Sequence, residues 1–240
     1  MKWIIVTGDS GGLGSNIAKI ILEKTSFGVI GISRRENENV VFLKETFDNY
    51  IHINFDLSNV ERIKELYKNS LKQYGEIYGL VNNSACAYDD IVTNANLSRI
   101  ESMFKVNVYA PMMLTKYAIR DMLLNNEKGS IVHISSVSAH TGYKGLSMYA
   151  ATKGSLEAFS KNVAREWGPK GIRSNVVAPG FMETEISSSL NDEQRKKIYQ
   201  RTSLKKATEI CSVAETVLFL LSDAASSITG SVINIDNGTI

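Results

Sequence analysis

Tyr149 and Lys153 are the residues whose types and spacing first suggest chemistry, because they lie four positions apart in a segment with helical periodicity. That spacing places both side chains on one face of the helix. A tyrosine ordinarily titrates near ~10 and transfers protons poorly at neutral pH until a positive charge stabilises its phenolate. Lys153 can supply that charge. Two other polar residues strengthen the interpretation of this pair as a catalytic site. Ser136 ends an apolar run thirteen residues before Tyr149, and Asn107 lies in the middle of a predicted helix.

A glycine-rich turn between Thr7 and Gly14 is the second candidate site. It follows a short apolar run over 3–6, which predicts a buried strand, and it precedes apolar residues at helical spacing. Glycines permit a tight turn and a close backbone approach to a pyrophosphate, and the N-terminus of the next helix offers unpaired N–H groups. A plain strand-to-helix turn is the alternative, but the position after a first strand favours phosphate binding.

Ser33, Arg34 and Arg35 end the second apolar run and bear on which dinucleotide the turn would hold. Enzymes that use NAD usually place an acid at the Ser33 position, where it bonds the ribose 2′-hydroxyl. Two guanidinium groups instead suit a 2′-phosphate, through charge-assisted and often bidentate bonds. We therefore predict NADP(H) as the cofactor. The alternative is that both arginines are solvated loop charges.

Strands and helices alternate along the whole chain. Apolar runs predict strands over 3–6, 27–32, 51–55, 77–81, 131–134, 172–178 and 232–235. Helical spacing begins at Leu13 and recurs in a segment that stops near Gly75, over 97–124, over 147–167 and in two segments before the last strand. The pattern predicts an α/β fold, a doubly wound, mostly parallel sheet with helices on both faces and ligands at the carboxyl ends of the strands. We expect one domain over 1–240, with the polar stretch 179–202 as a substrate lid.

The bulk composition argues against several classes of protein. The 240 residues carry a net charge of +2 without a long block of like charge, so neither nucleic acid nor a membrane is expected as a partner. Cys86 and Cys211 cannot build a disulfide framework and lack metal-ligand spacing, which favours reduced thiols in a cytoplasmic protein. The N-terminal apolar run is too short for a signal peptide, and no stretch approaches the ~18 apolar residues of a membrane span.

The glycine turn has the spacing T-G-x-x-x-G-x-G and therefore resembles the short-chain dehydrogenases/reductases, over essentially the whole chain. This resemblance implies a Rossmann-type NAD(P)-binding domain. Three positions depart from the family's pattern, because Asp9 stands where a small neutral residue is usual, and Ser84 and Ala85 replace Ala and Gly. The cofactor contacts that the resemblance and the preceding arguments imply are Gly8, Ser10, Gly12, Leu13, Gly14, Ser33, Arg34, Arg35, Asp56, Leu57, Asn83, Ser84, Ala85, Tyr149, Lys153, Pro179, Gly180, Met182 and Thr184.

The resemblance also implies a catalytic tetrad of Asn107, Ser136, Tyr149 and Lys153. Tyr149 would exchange the proton, Lys153 would also bond the nicotinamide ribose, and Ser136 would polarise the substrate oxygen. Asn107 would hold a water that links Lys153 to solvent. Ser135 is the competing serine, and the family's spacing to the tyrosine favours Ser136.

Two further segments gain a role from the resemblance. Asp56 and Leu57, after the third strand, would hold the adenine. The segment that begins at Pro179 resembles the family's Pro-Gly-x-x-x-Thr, in which the backbone at Met182 and the hydroxyl of Thr184 would hold the nicotinamide carboxamide.

Within the family, segments 175–184 and 228–236 are most similar to 3-oxoacyl-[acyl-carrier-protein] reductases. They imply NADPH-dependent reduction of the 3-oxo group of a 3-oxoacyl thioester, within the broader class of small-molecule or thioester carbonyl substrates. A sugar or polyol dehydrogenase is the alternative among enzymes, and a catalytically silent cofactor-binding sensor or scaffold is the alternative outside them. Family members commonly assemble through two long helices, and the apolar and small residues on several faces of 147–167 favour a homotetramer or homodimer here.

Overall fold

The first strand, β1 (Trp3–Thr7), lies in the middle of a sheet whose strands run parallel. The computed structural model describes residues 1–184 and 191–239, and within them the sheet has seven strands in the order β3-β2-β1-β4-β5-β6-β7. The strand order reverses between β1 and β4, so the crevice outside their carboxyl ends is the expected ligand site. The other strands are β2 (Gly28–Ser33), β3 (Tyr50–Asn54), β4 (Ile77–Asn82), β5 (Gly129–Ile134), β6 (Ile172–Pro179) and β7 (Val232–Ile235).

Helices connect the strands and cover both faces of the sheet. Between β3 and β4 the helical geometry is mixed, because the short helix α3 is followed by a π turn over Tyr67–Leu71. A second π turn, over Lys105–Tyr109, joins α4 to α5. The helices are α1 (Gly12–Lys24), α2 (Glu38–Thr46), α3 (Ile63–Leu66), α4 (Leu97–Phe104), α5 (Ala110–Leu124), α6 (Ser147–Trp167), α7 (Asp192–Gln200) and α8 (Ile210–Leu221).

The apolar core consists of two layers, one on each face of the sheet. Successive residues of a strand point to opposite faces. Ile4 and Val6 therefore pack in the layer that includes α1 and α8, whereas Trp3 and Ile5 pack in the layer that includes α5. Because both faces are covered, β1 is an uninterrupted apolar run without polar alternation, as is usual in parallel sheets.

The α/β sheet and the two long helical regions agree with the sequence predictions, and α6 and β7 have the predicted bounds. The third strand ends at Asn54, so Phe55 lies beyond it. Helix α2 was not predicted. Its two buried residues, Val40 and Leu43, flank two exposed apolar residues, Val41 and Phe42, which obscures the helical periodicity.

The stretch 179–202, predicted as a lid, is only partly described. It contains α7, which begins with a capping box in which Asn191 and Gln194 bond each other's backbone. Residues 185–190 of the predicted lid lie outside the described residues.

Candidate active site and cofactor cleft

Lys153 of α6 is a deeply buried charged side chain at the carboxyl end of the sheet, with 2% of its surface exposed. Its Nζ donates to the carbonyl oxygen of Ile134, the last residue of β5, at 2.8 Å. Burial lowers the pKa of Lys153 to about 8. The ammonium group is therefore fixed on the strand end, where its charge can act on neighbouring groups through a medium of low polarity.

Tyr149 lies one turn earlier on α6, and its ring centroid is 5.6 Å from Nζ of Lys153. Burial raises the pKa of Tyr149, and the nearby Asp89 and Cys86 raise it further. The phenol is therefore protonated at neutral pH. In this arrangement it can donate a proton to a substrate oxygen.

Asn107 lies in the π turn between α4 and α5 and is fully buried. Its Oδ1 accepts from the backbone N–H of Cys86 at 2.9 Å, and its Nδ2 donates to the carbonyl oxygen of Cys86 at 2.9 Å and to Oγ1 of Thr152 at 3.1 Å. Thr152 is next to Lys153 on α6. The amide thus connects three segments: the π turn, the loop after β4 and the helix that carries Tyr149.

The two serines after β5 differ in what their hydroxyl groups contact. Ser135 is buried, and its hydroxyl donates to Oε1 of Glu157 at 2.6 Å and to the carbonyl oxygen of Lys153 at 3.3 Å. Ser136 is half-buried, and its Oγ accepts from the backbone N–H of Ser138 at 3.2 Å and from its hydroxyl at 3.0 Å. The hydroxyl of Ser135 is directed to α6, so Ser136 is the better placed of the two to donate to a ligand.

The turn between β1 and α1 has the geometry of an anion site. Gly8 has φ of 73°, and a Cβ on Gly14 would lie 2.0 Å from the carbonyl oxygen of Gly8, so both positions require glycine. A Cβ on Gly12 would meet only Ile210, at 3.8 Å, which leaves the protein side of this position open. Within the described residues no side chain caps the N-terminus of α1, which follows Gly11. The uncapped helix and the glycine turn therefore fit a pyrophosphate.

Two further turn residues are held by contacts within the protein. Leu13 is buried in the core. The carbonyl oxygen of Ser10 accepts from Nδ2 of Asn37 at 2.9 Å and from Nδ2 of Asn39 at 3.0 Å, which ties the turn to the start of α2. Asn37 also caps α2 through Val40.

The end of β4 is tied directly to the same turn. The backbone N–H groups of Asn83 and Ser84 donate to Oγ1 of Thr7 at 2.9 and 3.0 Å, and Nδ2 of Asn83 donates to the carbonyl oxygen of Thr7 at 2.8 Å. Ser84 takes the place of the usual Ala without disrupting the link, and Ala85 is half-buried beside it.

The residues predicted to select the nucleotide lie at the end of β2 and directly after it. Ser33 is buried, and its hydroxyl donates to the carbonyl oxygen of Arg35 at 3.2 Å, whereas Arg34 and Arg35 are exposed. Asp56 is half-buried and accepts from the backbone N–H of Ser58 at 2.9 Å. The adjacent Leu57 is buried in the core.

The segment after β6 is held against β7. The N–H of Gly180 donates to the carbonyl oxygen of Ile235 at 2.9 Å, and a Cβ on Gly180 would lie 2.8 Å from Cα of Asp236. Pro179 is buried at the end of β6, and Met182 and Thr184 are half-buried. Between them, Glu183 accepts from the hydroxyl of Tyr199 and from Nη1 of Arg195 at 3.2 Å, which joins this segment to α7.

A cavity of about 210 Å³ opens between the loop after β4 and α4, with Cys86, Tyr88, Arg99 and Met103 among its lining residues. Tyr149 packs against the apolar cluster of Tyr88 and Met103 at its edge. Burial raises the pKa of the Cys86 thiol, against the opposing charges of Arg34 and Lys153. The cavity therefore adjoins the catalytic end of the cleft and is a candidate subsite for substrate.

Asp9 is the residue whose position the sequence left open, and it does not face the cofactor cleft. It is fully buried, and its Oδ2 accepts from the hydroxyl of Tyr50 and from Nδ1 of His52 at 2.7 Å. A second unpredicted cluster joins Glu157 to both Ser135 and His140, whose Nε2 lies 2.8 Å from Oε2 of Glu157. The spacing of these residues in the sequence gives no signal, because separate elements contribute them.

Among the described residues, none of the helices is long and apolar enough to cross a membrane. In the same part of the chain, no cluster of three His, Cys, Asp or Glu side chains could hold a metal ion.

Residues 8–239 match a family model described as enoyl-(acyl carrier protein) reductase, one of the short-chain dehydrogenase/reductase models. The chain belongs to the short-chain dehydrogenase/reductase family. It is thus an oxidoreductase that acts on carbonyl or CH–OH groups with a nicotinamide cofactor.

Relatives of this family member include enzymes with different substrates. The chain is 32% identical to a 3-oxoacyl-[acyl-carrier-protein] reductase of Buchnera aphidicola, over 99% of the chain and 96% of that protein. It is also 32% identical to an L-xylulose reductase of Caenorhabditis elegans, over 99% of the chain and 95% of that protein.

Solved structures with the same fold contain either NADH or NADP. A 4-hydroxyisoleucine dehydrogenase complexed with NADH superimposes with a TM-score of 0.93 at 29% identity, over 99% of the chain and 98% of that protein. A provisionally assigned 2-deoxy-d-gluconate 3-dehydrogenase from Agrobacterium tumefaciens, with bound NADP, gives a TM-score of 0.90 at 25% identity, over 98% and 95%. The family is therefore established for this short-chain dehydrogenase/reductase, and the choice of cofactor is a separate question.

Proposed function

We propose that this chain is an NADPH-preferring reductase that converts a carbonyl into a secondary alcohol, with a 3-oxoacyl thioester on a carrier protein as its substrate class. The observation that carries the proposal is the protonated phenol of Tyr149 beside the buried ammonium group of Lys153. A phenol in this state is a general acid for a carbonyl oxygen.

In the proposed reaction the four tetrad residues have different roles. The bound nicotinamide would supply the hydride to the carbonyl carbon. Tyr149 donates its proton to the carbonyl oxygen, and the positive charge of Lys153 stabilises the phenolate that remains. Ser136 donates a hydrogen bond to the same oxygen and polarises the carbonyl. Asn107 holds the π turn, the loop at Cys86 and α6 in register, and we assign it the water that returns a proton through Lys153.

The proposed cofactor contacts are distributed along the carboxyl ends of the strands. Gly8, Gly12 and the N-terminus of α1 would bind the pyrophosphate. Asp56 and Leu57 would flank the adenine, Asn83 to Ala85 the ribose, and the backbone around Met182 with Thr184 the carboxamide. Ser10, Leu13, Gly14, Pro179 and Gly180 shape the backbone that these contacts require.

The proposed preference for NADPH rests on the last residue of β2 and the two residues after it. Ser33 is turned to the carbonyl oxygen of Arg35 and offers no carboxylate to a ribose 2′-hydroxyl, and Arg34 and Arg35 are exposed where a 2′-phosphate would arrive. NADH is the alternative cofactor for this chain, because the similar 4-hydroxyisoleucine dehydrogenase has a structure complexed with NADH.

The thioester substrate is supported by the 3-oxoacyl-[acyl-carrier-protein] reductase relatives, and the sugar alternative by the L-xylulose reductase. The test is initial-rate turnover with NADPH and NADH on a panel of a 3-oxoacyl thioester, a 2-enoyl thioester, a ketose and a polyol, with Tyr149→Phe as the background. Highest kcat/KM for the 3-oxoacyl thioester with NADPH is expected. Preference for the ketose or polyol would establish the alternative, and turnover of none would indicate a sensor or scaffold.

We also propose one domain over 1–240, a lid within 179–202 and a homotetramer or homodimer in the cytoplasm, where Cys86 and Cys211 would stay reduced. The assembly is supported by exposed apolar residues on α4 and α5, Leu97 and Leu124, and by the small exposed residues Ala151 and Ala158 on α6. Light scattering coupled to size exclusion should give two or four times the chain mass of 26.5 kDa. A monomer at micromolar concentration would rule this assembly out.

A further inference from the structure

We propose that Glu157 of α6 is a positioning residue for carbonyl reduction, because it fixes the turn that carries Ser136 onto the helix that carries Tyr149. This inference rests on the proposed role of Ser136 as a donor to the carbonyl oxygen. Glu157 would act through the turn, without touching the substrate. Neither the family resemblance nor the spacing of the tetrad assigns a role to this residue.

Glu157 lies on the same face of α6 as the catalytic pair. It follows Lys153 by four residues and Tyr149 by eight, which places the three side chains one above another along the helix. The side chain of Glu157 is 13% exposed. A carboxyl group that is largely removed from water is costly unless its oxygens are hydrogen-bonded. The partners of these oxygens therefore matter.

Both carboxyl oxygens of Glu157 contact the turn after β5, one at each end of it. Oε1 accepts from the hydroxyl of Ser135 at 2.6 Å, and Oε2 lies 2.8 Å from Nε2 of His140. The hydroxyl of Ser135 also donates to the carbonyl oxygen of Lys153 at 3.3 Å. One side chain of α6 thus holds the residue before Ser136 and the residue four positions after it.

The turn between these two contacts is held together by its own backbone. Val137–Ala139 form a single 3₁₀ turn, in which the N–H of Ala139 donates to the carbonyl oxygen of Ser136 at 3.0 Å. The N–H of His140 donates to the carbonyl oxygen of Val137 at 2.9 Å. Because the turn is bonded internally, a shift of its far end relative to α6 would also move Ser136.

The position of Ser136 decides where its hydroxyl can donate. Its Oγ accepts from the backbone N–H of Ser138 at 3.2 Å and from the hydroxyl of Ser138 at 3.0 Å. A hydroxyl has two acceptor positions and one proton, so these two bonds leave the proton of Ser136 for a ligand. Tyr149 must donate to the same carbonyl oxygen from α6. Fixing the turn to α6 therefore keeps the two donors aligned on one point.

The first test compares Glu157→Ala with Glu157→Gln in the full-length protein, on the panel substrate that the wild type converts fastest. Glu157→Ala should lower kcat by about tenfold and leave dinucleotide affinity within about twofold, because it misplaces a donor to the substrate and no cofactor contact. Glu157→Gln should keep kcat within about threefold of the wild type, since its oxygen can accept from Ser135 and its amide can donate to His140. Glu166→Ala, at an exposed carboxyl on the same helix, is the matched control and should have the wild-type kcat.

A double-mutant cycle with Ser136→Ala separates positioning of Ser136 from a general loss of structure. In the Ser136→Ala background, Glu157→Ala should lower kcat by less than about twofold, because the donor that Glu157 positions is already absent. A loss of the same size in both backgrounds would overturn the proposal, and so would a Glu157→Gln variant as slow as Glu157→Ala.

Two further outcomes distinguish this proposal from the proposed function. Unchanged kcat in Ser136→Ala alone would refute the role of Ser136 and with it the role of Glu157. A loss in Ser136→Ala with none in Glu157→Ala would refute the positioning role alone. If Glu157→Ala does not fold, His140→Ala removes one of the two contacts and enters the same cycle, where its loss of kcat should again disappear in the Ser136→Ala background. A loss that persists there would overturn the proposal.

Discussion

The two ends of the proposed cofactor cleft hold charged groups in different environments. At the catalytic end, Lys153 is buried and bonded to a strand carbonyl, and burial shifts the pKa of both Lys153 and Tyr149. At the adenosine end, Arg34 and Arg35 are exposed, and neutral asparagine bonds to Ser10 hold the loop beside them. Proton transfer needs a fixed, desolvated charge, whereas choosing between two nucleotides needs only a charge within reach of solvent. Substitutions at the catalytic end should therefore reduce activity more than substitutions at the adenosine end.

The largest expected effect is the loss of turnover in Tyr149→Phe, with little change in dinucleotide affinity. The change removes the hydroxyl proposed to transfer the proton and leaves the ring in its apolar cluster, so turnover should fall by ~10²–10⁴-fold. Dinucleotide affinity, measured by fluorescence titration, should stay close to that of the wild type. A kcat close to that of the wild type in the purified variant would exclude Tyr149 as the proton donor. It would also contradict the expectation that the catalytic end is the more sensitive of the two.

Ser135 and Ser136 provide a comparison of two adjacent hydroxyl groups within the catalytic end. Ser136→Ala should lower kcat by about 10²-fold, because it removes a donor to the developing oxyanion. Ser135→Ala is the matched control, since its hydroxyl bonds Glu157, and it should lower kcat less than tenfold. Steady-state kinetics on the same substrate decides, and the reverse order of effects would assign the catalytic role to Ser135.

At the adenosine end the expected loss is confined to one cofactor. Arg34→Asp with Arg35→Asp should weaken NADPH binding by about 10–100-fold, because each charge-assisted bond to a phosphate contributes about 1.5–3 kcal/mol. NADH binding should change far less, which titration of both cofactors measures. Equal losses for the two cofactors would show that the arginines support the loop and do not recognise the 2′-phosphate.

The smallest expected effect concerns stability rather than turnover. The folded-state pKa of Lys153 is about 8 and its ordinary value is 10.5, so between these values the unfolded chain binds more protons and stability rises with pH. Lys153→Met should therefore be more stable than the wild type at pH 7, by on the order of 1–3 kcal/mol, and the difference should shrink toward pH 10. Urea unfolding at both pH values measures it.

The exposed Lys161, on the same helix, provides the control for this stability measurement. Lys161→Met should leave the free energy of unfolding within about 0.5 kcal/mol of the wild type at both pH values. A destabilised Lys153→Met at pH 7 would mean that the bond to Ile134 outweighs the cost of burying the ammonium group.

Local spacing in the sequence was enough to predict most of the architecture. The apolar runs predicted all seven strands, because a strand buried on both faces leaves a continuous apolar signal. Helix α6 was predicted over 147–167, ahead of the stop signal at Gly168 and Pro169, and the i, i+4 spacing placed Tyr149 and Lys153 on one face of it. Helix α2 escaped prediction because its adjacent Val41 and Phe42 remain exposed, so its apolar residues do not form one stripe.

The sequence by itself determined which chemical groups are present and how they are spaced. They are a tyrosine and a lysine one helical turn apart, a glycine turn after the first strand, and two arginines next to the position where an acid is usual. The tertiary structure decided which groups meet and in what state. It buried Lys153 against Ile134, directed Ser135 to Glu157, and placed Asp9 between Tyr50 and His52, which lie more than forty residues away in the chain. Burial and long-range contacts depend on the packing of the whole sheet, and no local pattern of residues encodes them.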